Sequence, residues 1–282
     1  MTYRESYEKA KAVLAEALIE EAEVDARLLL EYAYGTDRSY LLAHGDKELS
    51  ETQETYYQAL IQKRAQRIPL QHLTGVQDFM GLTFQVDEHV LIPRQDTEIL
   101  VEEVMRELHD GMDILDMCTG SGCILISLLR YSNDCTGLGV DISDEALALA
   151  DENAQKLLGP DRPVQFLKSD LFESVEGMYD IIVSNPPYIQ SSVIADLMSE
   201  VKDHEPLSAL DGGEDGLFFY RKITRECKGF LKPGGKLFFE IGCDQGSAVT
   251  EILSEEGFGE IQVVKDYAGL DRVVYGILLR IK

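Results

Sequence analysis

The chain has 282 residues, and its 45% hydrophobic and 8% aromatic content is ordinary for a globular protein, here expected to form two unequal domains. It carries 26 Lys and Arg against 51 Asp and Glu, a net charge of -25, and residues 1–75 hold only 13 of those acids. Nucleic-acid binders attract phosphates with an excess of basic residues, so this charge argues against a DNA or RNA substrate.

The sequence also argues against membrane insertion, export and metal binding. No run of about 18 apolar residues lacks a charge, which predicts no membrane span, and the charged N-terminus does not resemble a signal peptide. The five cysteines, at positions 118, 123, 135, 227 and 243, form no Cys-x-x-Cys pair, so neither a zinc site nor a disulfide framework is predicted. We therefore expect a reduced, cytoplasmic protein without a metal.

Residues 5–67 predict a small helical domain. Apolar residues recur at three- and four-residue spacing in "YEKAKAVLAEALIE", "EVDARLLLEYAYG" and "ETQETYYQALIQKRAQR", with Gly35 and Pro69 as helix stops. No catalytic combination of residues occurs there, so residues 1–75 are interpreted as a substrate-recognition domain. The alternation in "QDFMGLTFQVDEHVLI" then predicts a β-hairpin linker over residues 76–93.

Residues 94–282 predict an α/β catalytic domain. After a helix in "PRQDTEILVEEVMREL", the apolar runs "MDILDM", "CTGLGV", "PVQFLK" and "YDIIVS" alternate with helical segments, as in a parallel sheet covered on both faces. The chain ends on two successive strands, "GEIQVV" and "DRVVYGILLRI", which predicts an antiparallel hairpin at the sheet edge. This order favours the Rossmann-like fold of class I methyltransferases over that of a dehydrogenase.

Candidate ligand-binding residues follow three successive strands of this sheet. They are Cys118, Thr119, Gly120, Ser121 and Gly122 after the first strand, Asp141 after the second, and Asp170 and Leu171 after the third. Backbone amides of a glycine-rich turn approach ligands closely, and a carboxylate at Asp141 can accept hydrogen bonds from a ribose. Because open α/β sheets bind ligands at strand ends, an adenosine-type cofactor is predicted, with Asp170 and Leu171 beside its adenine. Taken singly, the turn could be an ordinary βα turn, and each aspartate a helix cap or a turn residue.

The fourth strand is followed by "SNPPYI", which can neither continue a β-ladder nor start a helix. Pro186 and Pro187 lack an amide hydrogen and restrict φ, so a stiff loop with exposed carbonyls is predicted. The Asn185 side-chain oxygen and the Pro186 carbonyl can accept both hydrogens of a planar NH2 group, while Tyr188 can stack on its flat face. Orientation of the nitrogen lone pair towards a methyl donor then needs no general base. We predict Asn185, Pro186 and Tyr188 as catalytic and residues 185–188 as substrate-binding; an ordinary Asn-Pro turn is the alternative.

Longer segments occur in an order shared with one family: "LDMCTGSGCI", "GVDISDEALALADEN", "SDLF", "SNPPYI", "HEPLSALDGGEDGL", "LKPGGKLFFEIG" and "DYAGLDRVV". Over essentially its whole length the chain resembles the peptide chain release factor glutamine methyltransferases (PrmC/HemK). The resemblance implies S-adenosylmethionine as methyl donor, S-adenosylhomocysteine as product, and N5 methylation of the glutamine in the Gly-Gly-Gln motif of release factors. It implies cofactor contacts by residues 118–122, Asp141, Leu171 and Asn185, and glutamine binding by residues 185–188. Cys118 departs from the family pattern, which usually has glycine, and Gln95 replaces a usual proline.

Two other functions are compatible with parts of the sequence. The "NPPY" motif is shared with adenine-N6 methyltransferases of nucleic acid, an alternative that predicts a basic face or a target-recognition domain. A noncatalytic adaptor of the same fold would show erosion of the glycine turn or of the "SNPPYI" loop, and both are intact.

Three further segments allow two interpretations each. His204, Glu205 and the loop 211–216 either shape a peptide groove or form a plain connection. Arg94 either meets a carboxylate of the cofactor or of a loop, or is a solvated cation at a helix start. Arg272 either pairs with Asp271 at the surface or supports the wall of the active site.

Overall fold

The computed structural model describes residues 1–161 and 164–279, which form two compact units. The first unit comprises residues 1–76 together with 198–204, and the second comprises the remainder of the described chain. The sequence predicts domains that are each one continuous stretch of chain, with borders at residues 75 and 93. In the structure, residues 198–204 belong to the helical unit as well. The periodicity of a sequence cannot reveal that a short, distant segment packs in another unit.

Five helices within residues 3–74 form most of the helical unit. They are α1 (Tyr3–Glu16), α2 (Ala22–Tyr34), α3 (Arg38–Ala43), α4 (Glu51–Ala65) and α5 (Leu70–Thr74). Thr2 forms a capping box at the start of α1, and Gly35 ends α2 with a left-handed φ of 60°. The core of the unit includes the buried side chains of Leu14, Leu29 and Tyr57. The short helices α3 and α5 are not predicted, because so few residues show no helical period.

Segment 198–204, with the short helix α9 (Ser199–Lys202), is held in this unit by ion pairs. Nε of Arg64 bonds Oδ2 of Asp25 at 2.7 Å, and both side chains are buried. Oε1 of Glu200 lies 3.2 Å from Nη1 of Arg64 and 3.1 Å from Nη1 of Arg67. Removal of one member would leave a buried charge without its partner, so these ions fix where the segment packs.

A two-stranded hairpin spans residues 76–85, with strands β1 (Val76–Phe79) and β2 (Leu82–Gln85). Gly81 in its turn has a φ of 70°. The hairpin is shorter than the predicted one, since residues 86–94 form no strand. The Asn153 side chain bonds the backbone N–H and carbonyl of Gln85 at 2.7 and 3.0 Å, and so takes the place of a strand partner.

The second unit alternates strands and helices around a seven-stranded sheet. Its strands are β3 (Asp113–Met117), β4 (Thr136–Asp141), β5 (Val164–Lys168), β6 (Tyr179–Ser184), β7 (Leu231–Glu240), β8 (Phe258–Lys265) and β9 (Asp271–Leu278). Its longer helices are α6 (Gln95–Glu107), α7 (Cys123–Tyr131), α8 (Asp144–Leu158), α10 (Phe218–Glu226) and α11 (Gly246–Glu255). The strand order is β5-β4-β3-β6-β7-β9-β8, parallel throughout except that β9 runs antiparallel to both neighbours. The predicted mostly parallel sheet with an antiparallel hairpin is confirmed.

The central strands carry apolar residues on both faces because helices cover both faces of the sheet. In β6, Ile181 and Val183 pack into one hydrophobic cluster with α6 and α7, while Ile182 packs into the other with α10 and α11. The "KPGG" segment, predicted as a turn, lies inside β7 at an irregularity of its pairing with β6. Pro163 of the predicted third strand, and Arg280 with Ile281 of the predicted last strand, lie outside the described residues.

Candidate active site

A cavity of about 330 Å³ lies at the carboxyl ends of β3, β4 and β6. The predicted site residues that line it are Cys118, Thr119, Gly120, Ser121, Asp141, Asp170, Leu171, Asn185 and Pro187. Gly122, Pro186 and Tyr188 are not among its lining residues. Because β3 pairs with β4 on one side and β6 on the other, the cavity occupies the topological switch point where doubly wound sheets bind ligands.

The glycine-rich turn joins β3 to α7 through three residues of positive φ. Cys118, Gly120 and Gly122 have φ values of 63°, 53° and 78°. At Gly122, an added Cβ would lie 2.8 Å from Cδ1 of Ile126 and 3.2 Å from Cβ of Ala150, so this glycine serves helix packing. Cys118 adopts the left-handed conformation, which glycine adopts more easily than other residues.

Buried polar atoms without a well-formed hydrogen bond lie at this turn. Oδ2 of Asp116 accepts a hydrogen bond from the Thr119 hydroxyl at 2.6 Å. Oδ1 of Asp116 and Oγ of Ser121 have no well-formed hydrogen bond within the described parts of the chain. Burial raises the pKa of Asp116 to about 7, against the opposing effect of the Thr119 hydrogen bond. Sequence reasoning missed Asp116, although an acid inside a buried strand just before a glycine turn was a usable signal.

Asp141 ends β4 and binds the glycine turn. Its Oδ2 accepts from the Gly120 N–H at 2.9 Å and its Oδ1 accepts from the Ser143 N–H at 3.0 Å. The residue that caps α8 is Ser143, whose side chain accepts from the Ala146 N–H, so the helix-cap interpretation of Asp141 is wrong. Each carboxylate oxygen can accept a further hydrogen bond in the cavity.

Asp170 and Leu171 form the part of the wall that follows β5. Asp170 is exposed, and its Oδ1 lies 3.2 Å from Nζ of Lys222. Leu171 is buried, with a φ of 51°. The exposed side chain of Ile142, after β4, lines the same cavity and adds apolar surface that sequence reasoning did not single out.

The loop after β6, residues 185–188, is called the acceptor loop here. Pro186 and Pro187 are buried, while Asn185 and Tyr188 are half-buried. Asn185 lines the cavity and its Nδ2 donates to the Thr97 hydroxyl at 3.4 Å, so the opposite branch of the amide carries the oxygen. Stacking by Tyr188 on a target stays a prediction, since its ring is not part of the cavity wall.

The loop 211–216 lies against the backbone of the acceptor loop. The Gly212 N–H donates to the Ile189 carbonyl at 2.8 Å. A Cβ on Gly212 would lie 2.7 Å from Cα of Tyr188, and one on Gly216 would lie 2.5 Å from the Tyr188 carbonyl oxygen. Glycine is required at both positions for this close approach, and a role of the loop in a peptide groove stays a prediction.

Two family models match the chain, the PrmC N-terminal domain at residues 5–75 and the methyltransferase small domain at residues 94–203. The release factor glutamine methyltransferase of Clostridium acetobutylicum is 43% identical, over 98% of this chain and 99% of its own. The protein of the same name in Geobacter sulfurreducens is 40% identical, over 98% and 96%. This chain belongs to the release factor glutamine methyltransferase family. The predicted family and enzyme class are confirmed.

One solved structure shares the fold of this chain, although the sequence identity is low. The hMettl16 catalytic domain, in complex with MAT2A 3'UTR hairpin 6, matches with a TM-score of 0.58 and 16% identity. The match covers 79% of this chain and 83% of that one. At this identity the likeness concerns the α/β fold alone.

Glu240, at the end of β7, is a site residue that sequence reasoning missed. It is 2% exposed, and its Oε1 accepts from the Tyr188 hydroxyl at 3.4 Å. Burial raises the pKa of Glu240 to about 7, whereas a hydrogen bond from Thr97 and the charge of Arg272 act in the opposite direction. Its Oε2 has no well-formed hydrogen bond within residues 1–161 and 164–279. The signal was an acid in the otherwise apolar strand "KLFFEIG".

Gln245, just before α11, fixes the backbone of the acceptor loop. Its Nε2 donates to the Tyr188 carbonyl at 3.0 Å and the Gly216 carbonyl at 3.2 Å. Its Oε1 accepts from the Gly242 N–H at 2.9 Å. A glutamine at the start of a helix is ordinary in sequence, so no signal pointed to it.

Arg94 meets a carboxylate of a loop. Its Nη2 lies 2.7 Å from both carboxylate oxygens of Glu205, whose side chain is buried. Burial raises the pKa of Glu205, and the charge of Arg94 opposes that rise. His204 belongs to segment 198–204 of the helical unit and does not line the cavity.

Arg272, on β9, pairs with carboxylates at the start of α6 and in the loop before β9, and its support of the active-site wall stays a prediction. Its Nη2 lies 3.1 Å from Asp96 and 3.1 Å from Asp266, and its side chain is 11% exposed. Asp271 instead pairs with Lys265 at 3.1 Å, so the interpretation of Arg272 as a surface partner of Asp271 is wrong.

The cysteines are all free thiols. Cys118 and Cys123 line the cavity, and burial raises the pKa of both, which keeps them protonated and poorly nucleophilic. Within residues 1–161 and 164–279 no cluster of three or more His, Cys, Asp or Glu could hold a metal ion, and a metal-free site stays a prediction. No helix in that part of the chain is long and apolar enough to cross a bilayer.

Proposed function

We propose that this protein methylates N5 of the glutamine in the Gly-Gly-Gln motif of peptide chain release factors, with S-adenosylmethionine as methyl donor. The observation that carries the proposal is the position of Asn185, whose side chain lines the same cavity as the glycine turn and Asp141. Release factors as the protein partner are supported by the names of the relatives from C. acetobutylicum and G. sulfurreducens.

The cavity fits the proposed cofactor. Asp141 would accept hydrogen bonds from the ribose, and Leu171 with Asp170 would border the adenine. Oγ of Ser121, which lines the cavity without a well-formed hydrogen bond, suits the polar amino-acid end, because a ligand that bonds it removes the cost of burying it unsatisfied. When bound, S-adenosylmethionine supplies an electrophilic methyl group on a sulfonium.

The acceptor loop would hold the glutamine carboxamide. The Asn185 side-chain oxygen and the Pro186 carbonyl accept its two N–H groups and fix the plane of the amide. An amide nitrogen is a poor nucleophile because its lone pair is delocalised, so orientation by two fixed acceptors is what this chain contributes to the rate. The nitrogen becomes acidic once it is methylated, so the proton can leave without a dedicated base.

The proposal is tested by incubating the purified protein and labelled S-adenosylmethionine with release factors, DNA or RNA. We expect label only in release factors, at the Gly-Gly-Gln glutamine as located by peptide mass spectrometry. A release factor with that glutamine replaced by alanine is the matched negative substrate.

Each contrary result has a distinct meaning. Label confined to nucleic acid would replace the proposal with adenine methylation. Cofactor binding without transfer to any of the three substrates would favour a noncatalytic adaptor. Label elsewhere in the release factor would keep the partner and overturn the proposed glutamine specificity.

A further inference from the structure

Two segments of the chain flank the acceptor loop and also line the cavity. On one side, Nδ2 of Asn185 donates to the hydroxyl of Thr97, in the first turn of α6, at 3.4 Å. On the other side, the N–H of Ile189 donates to the Leu210 carbonyl at 3.0 Å, and the Gly212 N–H donates to the Ile189 carbonyl at 2.8 Å. The acceptor loop is therefore held on two sides by parts of the chain that are distant from it in sequence.

An ion pair joins these two sides to each other. Nη2 of Arg94, just before α6, lies 2.7 Å from both carboxylate oxygens of Glu205. The Arg94 carbonyl accepts from the Thr97 N–H at 3.1 Å, and Glu205 directly precedes segment 206–212, which leads back to the acceptor loop. The contacts thus form a closed ring around the acceptor loop, made of the start of α6, the ion pair and segment 206–212.

The two charged residues themselves stand outside the cavity. Neither Arg94 nor Glu205 is among its lining residues, whereas their immediate neighbours Pro93 and Pro206 are. The Glu205 side chain is 1% exposed and the Arg94 side chain is 41% exposed, so the carboxylate, unlike the arginine, cannot replace its partner by water. The pair therefore acts on the cavity through the residues beside it.

We propose that Arg94 and Glu205 are positioning residues for methyl transfer: their ion pair closes the ring of contacts that holds the acceptor loop in place for the target amide. The inference rests on the proposed function and deepens it, because exact placement of this loop matters only if an amide is bound there. A displacement of about 1 Å from reactive geometry can lower a rate about 100-fold. Asp141 and the glycine turn lie outside the ring and bond each other, so cofactor binding should depend little on the pair.

Three variants test the inference: Arg94→Met, Glu205→Gln and the double variant. Arg94→Met leaves a buried carboxylate without its partner, and its movement towards water would pull segment 206–212 away from the acceptor loop. We expect kcat on release factors to fall about 10- to 100-fold. In Glu205→Gln the amide oxygen still accepts from Arg94, so a fall of about 3- to 10-fold is expected. The Kd for S-adenosylmethionine should stay within about threefold of wild type in each variant.

The double variant separates action through Glu205 from direct contact of the partly exposed Arg94 with a release factor. Once Glu205→Gln has removed the buried charge, Arg94→Met should cost less than it does alone. The double variant should therefore be more active than Arg94→Met, by about threefold or more.

Arg106→Met is the matched control. Arg106, near the other end of α6, also pairs with a buried glutamate, Glu103, and neither residue lines the cavity. This variant should lose stability, as Arg94→Met does, and keep the wild-type kcat. The comparison distinguishes an effect on the acceptor loop from the general cost of breaking an ion pair.

Contrary outcomes separate this inference from the proposed function. Wild-type kcat in Arg94→Met, or an equal loss of kcat in Arg94→Met and Arg106→Met, would overturn the inference while the wild-type enzyme still methylates release factors. Equal activity of the double variant and Arg94→Met would do the same, because Arg94 would then act without Glu205. A Kd for S-adenosylmethionine that rises in parallel with the loss of kcat would also overturn it.

Two results remain to be assigned. A wild-type protein that binds the cofactor and leaves release factors unmethylated would overturn the proposed function and this inference together. If Arg94→Met fails to fold, as judged by circular dichroism, Glu205→Gln decides alone, and wild-type kcat in that variant would overturn the inference.

Discussion

The two sides of the cavity are built in different ways. On the cofactor side, Asp141 and the glycine turn follow directly on neighbouring strands, and they bond each other. On the acceptor side, residues 185–188 depend on groups from distant parts of the chain. Those groups belong to Thr97, Gly212, Glu240 and Gln245. The cofactor side is therefore a local construction and the acceptor side a long-range one, so variants should separate cofactor binding from methyl transfer.

The largest separation is expected from Asn185→Ala. Loss of one of the two acceptors for the target amide should lower kcat about 100- to 1,000-fold. The Kd for S-adenosylmethionine, measured by calorimetry, should change far less, because the turn and Asp141 remain. Asn133→Ala, an exposed asparagine near the amino end of β4, is the control and should behave as wild type. Activity of Asn185→Ala near that of wild type would contradict the role given to this loop.

A smaller loss of kcat is expected from Gly212→Ala, a change at a residue placed behind the acceptor loop rather than in contact with substrate. In Gly212→Ala the new Cβ would lie 2.7 Å from Cα of Tyr188, so the acceptor loop must shift. We expect kcat to fall about 10-fold or more, with cofactor affinity retained. Gly229→Ala is the matched control, since a Cβ there meets no atom within 4 Å. Equal effects of the two substitutions would mean that support from loop 211–216 is unimportant.

On the cofactor side, the buried Asp116 predicts a pH dependence of stability. Its pKa is raised from 3.8 to about 7 by burial, so in this range the folded state holds a proton that the unfolded state has lost. The stabilisation is complete below 3.8 and is lost as the pH rises through about 7. Relative to Asp116→Asn, the wild-type free energy of unfolding should fall by up to about 1.4 kcal/mol per pH unit in that window. Urea unfolding of both proteins without cofactor measures this difference, and a constant difference would show that Asp116 stays ionised when folded.

The same contrast explains what the sequence could predict. The glycine turn, Asp141 and the acceptor loop occupy short windows, and a parallel sheet brings successive strand ends together whatever lies between them. Glu240 and Gln245 carry no such signal, because a single acid or amide does not reveal which distant loop packs on it. Glu200 is a comparable case in the helical unit, where two arginines fix a segment that lies more than a hundred residues further along the chain.

The smallest effect is expected at Cys118, in the glycine turn on the cofactor side. Its φ of 63° costs a non-glycine residue about 1 kcal/mol, and Cys118→Gly would relieve this strain while giving the unfolded chain more freedom. The two effects oppose each other, so the free energy of unfolding should change by less than about 1 kcal/mol. Cys118→Val, which is branched at Cβ, should be less stable than wild type by about 1–2 kcal/mol. Gly120→Ala, at a φ of 53° with no atom near its Cβ, is the control that isolates the backbone cost. A gain above about 2 kcal/mol in Cys118→Gly would mean that the turn is strained beyond what its φ accounts for.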